Sequence, residues 1–177
     1  MTQLLSQRTV DAYAEAQAIT RENAKYNIGG VFRTINIPLQ ALELLLPEHR
    51  QRFEFHAGGR ERVRGQEAAV VGFTERSLPS FISDGFGGDL PAHGRVWVEP
   101  VTGAVLRTEL GVAGPAAVYL KEMQVRVDYQ RDRRLQMFVP SEMEEIYGLD
   151  IEVVHGRASY RNNRRFETTG RLVPPPD

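Results

Sequence analysis

The sequence predicts an α+β fold: an antiparallel meander sheet with two helices packed on one face. Three observations carry this expectation. Helix-forming segments come first and strand-forming segments follow, instead of alternating with them. From Arg52 onward the apolar spacing changes from a helical period to a period of two. The strand-like segments are joined mainly by short Gly- and Pro-containing turns, which suit antiparallel neighbours.

Taken in order, residues 9–25 read as the first helix. Thr9 can cap it, Ala12, Ala14, Ala16 and Ala18 favour it, and Asn27 with Gly29-Gly30 ends it. A β-branched strand, Val31 to Ile37, follows. Pro38 then stands at a helix start, and Leu39 to Leu46 is apolar almost all round, so this second helix is expected to be buried on more than one side. Phe53 and Phe55 alternate with polar residues up to Gly58-Gly59, which reads as a turn. Ala69, Val71 and Phe73 share one face of the next strand.

Ser77 to Gly94 is rich in Pro, Gly and Ser and reads as a long loop, of the kind that is often functional. Arg95–Glu99 and Ala104–Val112 flank Pro100-Val101-Thr102-Gly103, a hairpin in which Gly103 supplies the left-handed residue. Met123, Val125, Val127 and Tyr129 alternate with Gln124, Arg126, Asp128 and Gln130, giving one dry and one wet face. Arg131 to Arg134 turns the chain into Leu135–Tyr147. Ile151–Tyr160 and a piece around Phe166 complete the series. Residues 1–173 are expected to form one domain, helical over 1–49 and sheet over 50–173, with 174–177 a loose proline-rich tail.

Composition limits the chemistry. With 41% hydrophobic and 25% charged residues the chain matches ordinary globular proteins. A net charge of −1 provides no global attraction to nucleic acid, so no nucleic-acid partner is expected. All but two of the 22 basic residues are arginine, the exceptions being Lys25 and Lys121. The absence of cysteine excludes disulfides, thiol nucleophiles and thiolate metal sites. No stretch approaches the ~20 apolar residues of a membrane span, and no signal peptide is visible, which leaves the compartment open.

Motifs for catalysis are missing. His49, His56, His93 and His155 show no metal-ligand spacing, and there is no nucleophile elbow or phosphate loop, so no cofactor, metal or catalytic residue is assigned. The Gly85-Phe86-Gly87-Gly88 run lacks the helix that a phosphate cradle needs. Glu142 and Glu144 would share the wet face of a strand, opposite Arg126 or Arg157, with Glu145 pointing the other way. Cross-strand ion pairing explains the first two. Arginines 60, 62 and 64 and 131, 133 and 134 fall in or beside turns, while Arg161, Arg164 and Arg165 could meet an anionic group.

Large apolar side chains occupy both faces of several strands. Trp97 opposes Val96 and Val98, and Phe138 and Ile146 oppose Leu135, Met137 and Val139. One face is expected to meet the second helix. The other needs a second layer, a partner chain or a lipophilic ligand.

Three stretches carry a family resemblance: Tyr26-Asn27-Ile28-Gly29 through Arg52-Phe53-Glu54-Phe55, Gly94-Arg95-Val96-Trp97-Val98-Glu99-Pro100 through Leu110, and Val139-Pro140-Ser141-Glu142 through Arg164-Arg165-Phe166. Together they resemble the C-terminal part of an uncharacterised bacterial protein family. At fold level the strand, Pro-x-Thr-Gly, strand pattern is similar to the Lol-type envelope lipoprotein carriers. That similarity implies a curved, half-open, barrel-like sheet of about six to eight strands with helices on its concave side. It also implies a periplasmic or envelope setting and an acyl chain or other lipid held on the concave face.

The leading expectation is therefore a non-enzymatic, envelope-type binding protein for a lipophilic ligand or a partner protein. Leu42, Leu45, Trp97, Phe138 and Ile146 are its candidate ligand-binding residues. Two alternatives stay open. One is an enzyme assembled around the 77–94 loop from Asp84, Asp89 and His93, and the other is a structural module of a larger protein.

Overall fold

Period-two alternation beyond residue 52 builds seven antiparallel strands: β1 (Phe53–Val63), β2 (Gln66–Glu75), β3 (Ala92–Val98), β4 (Val105–Val112), β5 (Leu120–Asp132), β6 (Met137–Leu149) and β7 (Val153–Ser159). The computed structural model describes residues 37–83, 88–112, 120–149 and 153–164. Each strand pairs with its neighbour in sequence, in the order β1-β2-β3-β4-β5-β6-β7, so the sheet is an open meander with β1 and β7 at its edges.

Helical structure among the described residues is slight. It comprises α1 (Gln40–Leu44) and a 3-10 turn over Pro47–Arg52. The described fold is therefore mostly β, in place of the α+β layering expected. The expected helix over 9–25, the strand over 31–37 and the piece around Phe166 lie largely or wholly outside the described residues. The second helix is shorter than the sequence suggests: it spans Gln40–Leu44 with Leu39 and Leu45 as its caps, and Leu46 lies outside it in the extended backbone that precedes Pro47. Only one side of it is covered. Ala41 and Leu44 are buried and Leu42 and Leu45 half-buried, whereas Leu39 and Leu46 are exposed, so among the described residues the expected burial on more than one side is not met.

The main core lies on the face that α1 packs against. Phe53, Phe73, Val96, Leu110, Met123, Val125, Val127, Tyr129, Met143 and Tyr147 come together there, with Leu42 and Leu45 of α1 half-buried against them. Tyr129 ties α1's entry to the sheet: its hydroxyl donates to the Pro38 carbonyl (2.8 Å) and shares a 3.1 Å bond with Thr108 Oγ1. Burial pushes the Tyr129 phenol up to about 12.

A second, smaller core of Val63, Ala68, Val70, Trp97 and Leu106 sits on the opposite face. It exists because β1 does not turn at Gly58-Gly59. The strand continues through a bulge between Ala57 and Arg60, and the turn comes later at Arg64-Gly65. A Cβ at Gly58 would stand 2.8 Å from Val70 Cγ1, so the bulge brings backbone close over β2 in a way that needs glycine. The far end of the β1–β2 hairpin thereby reaches across the sheet, and Arg64 pairs with Asp128 of β5 and Glu142 of β6. The β3–β4 hairpin closes as expected, with Gly103 at φ +72° and its N–H donating to Glu99 O (3.0 Å).

Candidate functional site

Polar residues at alternate positions of β3–β7 line up across the sheet as charges of alternating sign. Register places Arg95 opposite Glu109, Glu109 opposite Arg126, Arg126 opposite Glu144 and Glu144 opposite Arg157. Arg95 bonds both oxygens of Glu109 (2.9 and 3.2 Å). Glu144 takes a donor from each side, from Arg126 on β5 and from Arg157 on β7 (2.7 Å). These two hydrogen bonds, Arg126's the larger, hold the Glu144 carboxyl below its ordinary value. Beside this row Arg107 grips Asp128, whose hydrogen bond raises the guanidinium's already high value. Every charge in this 250 Å3 depression has an opposite neighbour, so it is a cross-strand clamp on the sheet. Glu144 thus faces Arg126 and Arg157 as expected, whereas Glu142 pairs with Arg64 of the β1–β2 turn, and Glu145 is buried on the core face, where Tyr147 donates to it (2.7 Å).

Trp97 is enclosed on the same face as the charge row. Its Nε1–H donates to Glu61 (2.9 Å), and the Arg95 guanidinium lies 4.7 Å above its ring. With 2% of its surface exposed, it is filled in by protein on all sides.

The segment after β2 is organised by one buried carboxylate. Glu75 Oε1 accepts from Arg52 (3.1 Å) and from the Phe81 N–H (3.1 Å), and Oε2 accepts from the Ala92 N–H (3.1 Å). Asp89 accepts from the Ser80 hydroxyl (3.0 Å), and the Leu90 N–H donates to that same hydroxyl (2.9 Å). Of the three residues named for an enzyme here, Asp84 lies outside the described residues, Asp89 is engaged by Ser80, and His93 is exposed on β3 beside Gly111. Among the described residues no group of three or more His, Asp and Glu could hold a metal ion.

Three hairpin turns gather at one end of the sheet: Arg64-Gly65, Pro100–Gly103 and Arg133–Gln136. A groove of about 800 Å3 opens between them. Its apolar lining comes from Ala104 and Phe138, with the buried Leu106 beneath them, and its rim from Gln66, Glu67, Glu99, Thr102, Arg131 and Gln136. The two acids are already occupied. Glu99 accepts from the Val101 N–H (3.1 Å) and from both the N–H and the hydroxyl of Thr102. The Thr102 hydroxyl contributes most to lowering Glu99's pKa. Glu67 pairs with Arg60.

The five residues singled out in the sequence do not converge on one site. Leu42 and Leu45 pack on the main core, Trp97 belongs to the core opposite, and Ile146 is half-buried between Gln124 and His155. Phe138, 37% exposed, lines the groove. Arg131 and Thr102 were read from the sequence only as turn residues, and the groove residues were not connected because they belong to three hairpins far apart in sequence. Their only local signal is that each stands in or next to a turn.

No family model matches the chain, and no curated protein or solved structure matches it significantly. Among the described residues no helix is long and apolar enough to cross a membrane.

Proposed function

We propose that this chain is a non-catalytic, envelope-type binding protein that holds a lipophilic ligand in the groove between its three hairpin turns. The observation that supports this reading is the groove itself. Its volume of about 800 Å3 falls within the ~300–1,000 Å3 typical of small-molecule sites. Phe138 exposes an aromatic face there next to Ala104 and Leu106, at a place where the chain's own side chains leave space. The face under α1, by contrast, is filled with protein side chains. The kinship with Lol-type carriers and the curved, half-open form belong to the same proposal. An antiparallel meander open at both edges is compatible with them.

The experiment is native mass spectrometry of the purified full chain with organic extraction, followed by titration with the neutral probe N-phenyl-1-naphthylamine. The reading expects a co-purifying apolar molecule or saturable probe uptake, lost in Phe138→Asp. A bare protein that takes up no probe overturns it. A second reading rests on Ile37, Leu39 and Leu46, which are 53%, 51% and 41% exposed around α1 and could be covered by a partner protein of the envelope. That reading predicts that changing all three to Ser abolishes a stable complex and leaves probe uptake unchanged.

A further inference from the structure

The groove's one cation has a chemistry of its own. Arg131, at the end of β5, is exposed, and among the described residues its guanidinium engages only Gln136 Oε1 (3.1 Å). A guanidinium carries five N–H donors in a fork that matches a carboxylate. Elsewhere on the sheet Arg64, Arg76, Arg95, Arg107, Arg126 and Arg157 all have acid partners. Among the described residues Arg131, like Arg62 on β1, has none, although Glu67 and Glu99 line the same groove. Glu67 pairs with Arg60 and Glu99 is held by the N–H groups and hydroxyl of its own turn, and neither makes an ion pair with Arg131. Arg131 and Phe138 are direct cross-strand partners, which sets an uncommitted cation beside the aromatic surface.

We propose that the groove binds an amphipathic monocarboxylate, with its carboxylate on Arg131 and its hydrocarbon tail along Phe138 and Ala104. This inference rests on the lipophilic-ligand reading above and adds the head group to it. The carboxamide Oε1 of Gln136 accepts from the guanidinium and orients it, and the remaining donors are available to the ligand.

The test compares decanoate with decanol, both below their self-association limits, by calorimetry and by the fluorescence of Trp97, which packs with Leu106 beneath the groove. Decanoate is expected to bind about tenfold more tightly than decanol, as a charge-assisted bond at an exposed rim allows. Arg131→Gln should remove that advantage while leaving decanol binding within about twofold and far-UV circular dichroism unchanged. Equal affinity of the wild type for decanoate and decanol, or an undiminished preference in Arg131→Gln, overturns the head-group assignment and leaves the lipophilic reading standing. Binding of neither molecule overturns both.

Discussion

Replacing Glu75 by glutamine keeps the shape of the side chain and removes its charge. The carboxylate is fully buried, with 0% of its side chain exposed, and accepts from Arg52, from the Phe81 N–H and from the Ala92 N–H. An amide has one acceptor oxygen. If that oxygen serves Arg52 and Phe81, the amide NH2 faces the Ala92 N–H, and two donors meet at a residue that is itself 0% exposed. A buried unsatisfied donor costs about 1–3 kcal/mol, and the surviving bonds fall from about 1.5–3 to about 0.5–1.5 kcal/mol each. Arg52 is 28% exposed and can recover hydration, so its share of the loss is small. The expected cost is therefore about 3 kcal/mol. With a urea dependence of about 2 kcal/mol per molar, the unfolding midpoint should fall by about 1.5 M. Hydrogen exchange at the Phe81 and Ala92 amides should accelerate more than at β5 or β6. A midpoint within about 0.3 M of wild type, with unchanged protection at both amides, would refute the reasoning.

Tyr129→Phe deletes the hydroxyl that joins Thr108 to Pro38 and should cost about 1–2 kcal/mol at neutral pH in chemical denaturation. Because the folded phenol titrates at about 12 against an ordinary 10.0, its stabilising contribution is complete below pH 10 and is lost as pH rises toward 12. The variant's stability should accordingly fall less steeply than wild type across that window. Glu144 has the opposite sign: its folded value lies below 4.5, so its contribution is present above that pH and disappears as pH falls through the folded value. Arg157→Gln removes one of its two donors, and the Glu144 carboxyl titration followed by NMR should move up toward 4.5. An unmoved titration would mean that Arg126 alone sets it.

Much of the sheet was legible because period-two alternation acts residue by residue. Met123, Val125, Val127 and Tyr129 are all buried, and their polar neighbours face away, as a strand with one dry side requires. The hairpin at Gly103 was readable from a single residue that must adopt positive φ. Cross-strand pairing also explained Glu144 in advance, because its partners carry the complementary charge at the right spacing.

What sequence spacing could not give was the outcome of competition between distant segments. Gly58-Gly59 has the composition of a turn, yet it makes a bulge, because continuing β1 lets Val63 join Trp97 and Leu106 and brings Arg64 to Asp128. Trp97 looked like a residue awaiting a ligand, and that same hairpin supplies its cover. Leu39 to Leu46 was expected to be buried on more than one side, but one helical turn offers only one face to the sheet. The groove depends on the same long-range geometry. Its phenylalanine was a candidate from the sequence and its arginine was read as a turn charge, but they acquire a shared environment only when three turns meet at one end of the sheet. Local pattern determined the strands and their order, because backbone pairing and burial repeat every second residue. The tertiary structure decided which apolar and charged groups were left without an internal partner, because that depends on which distant segment arrives to cover them.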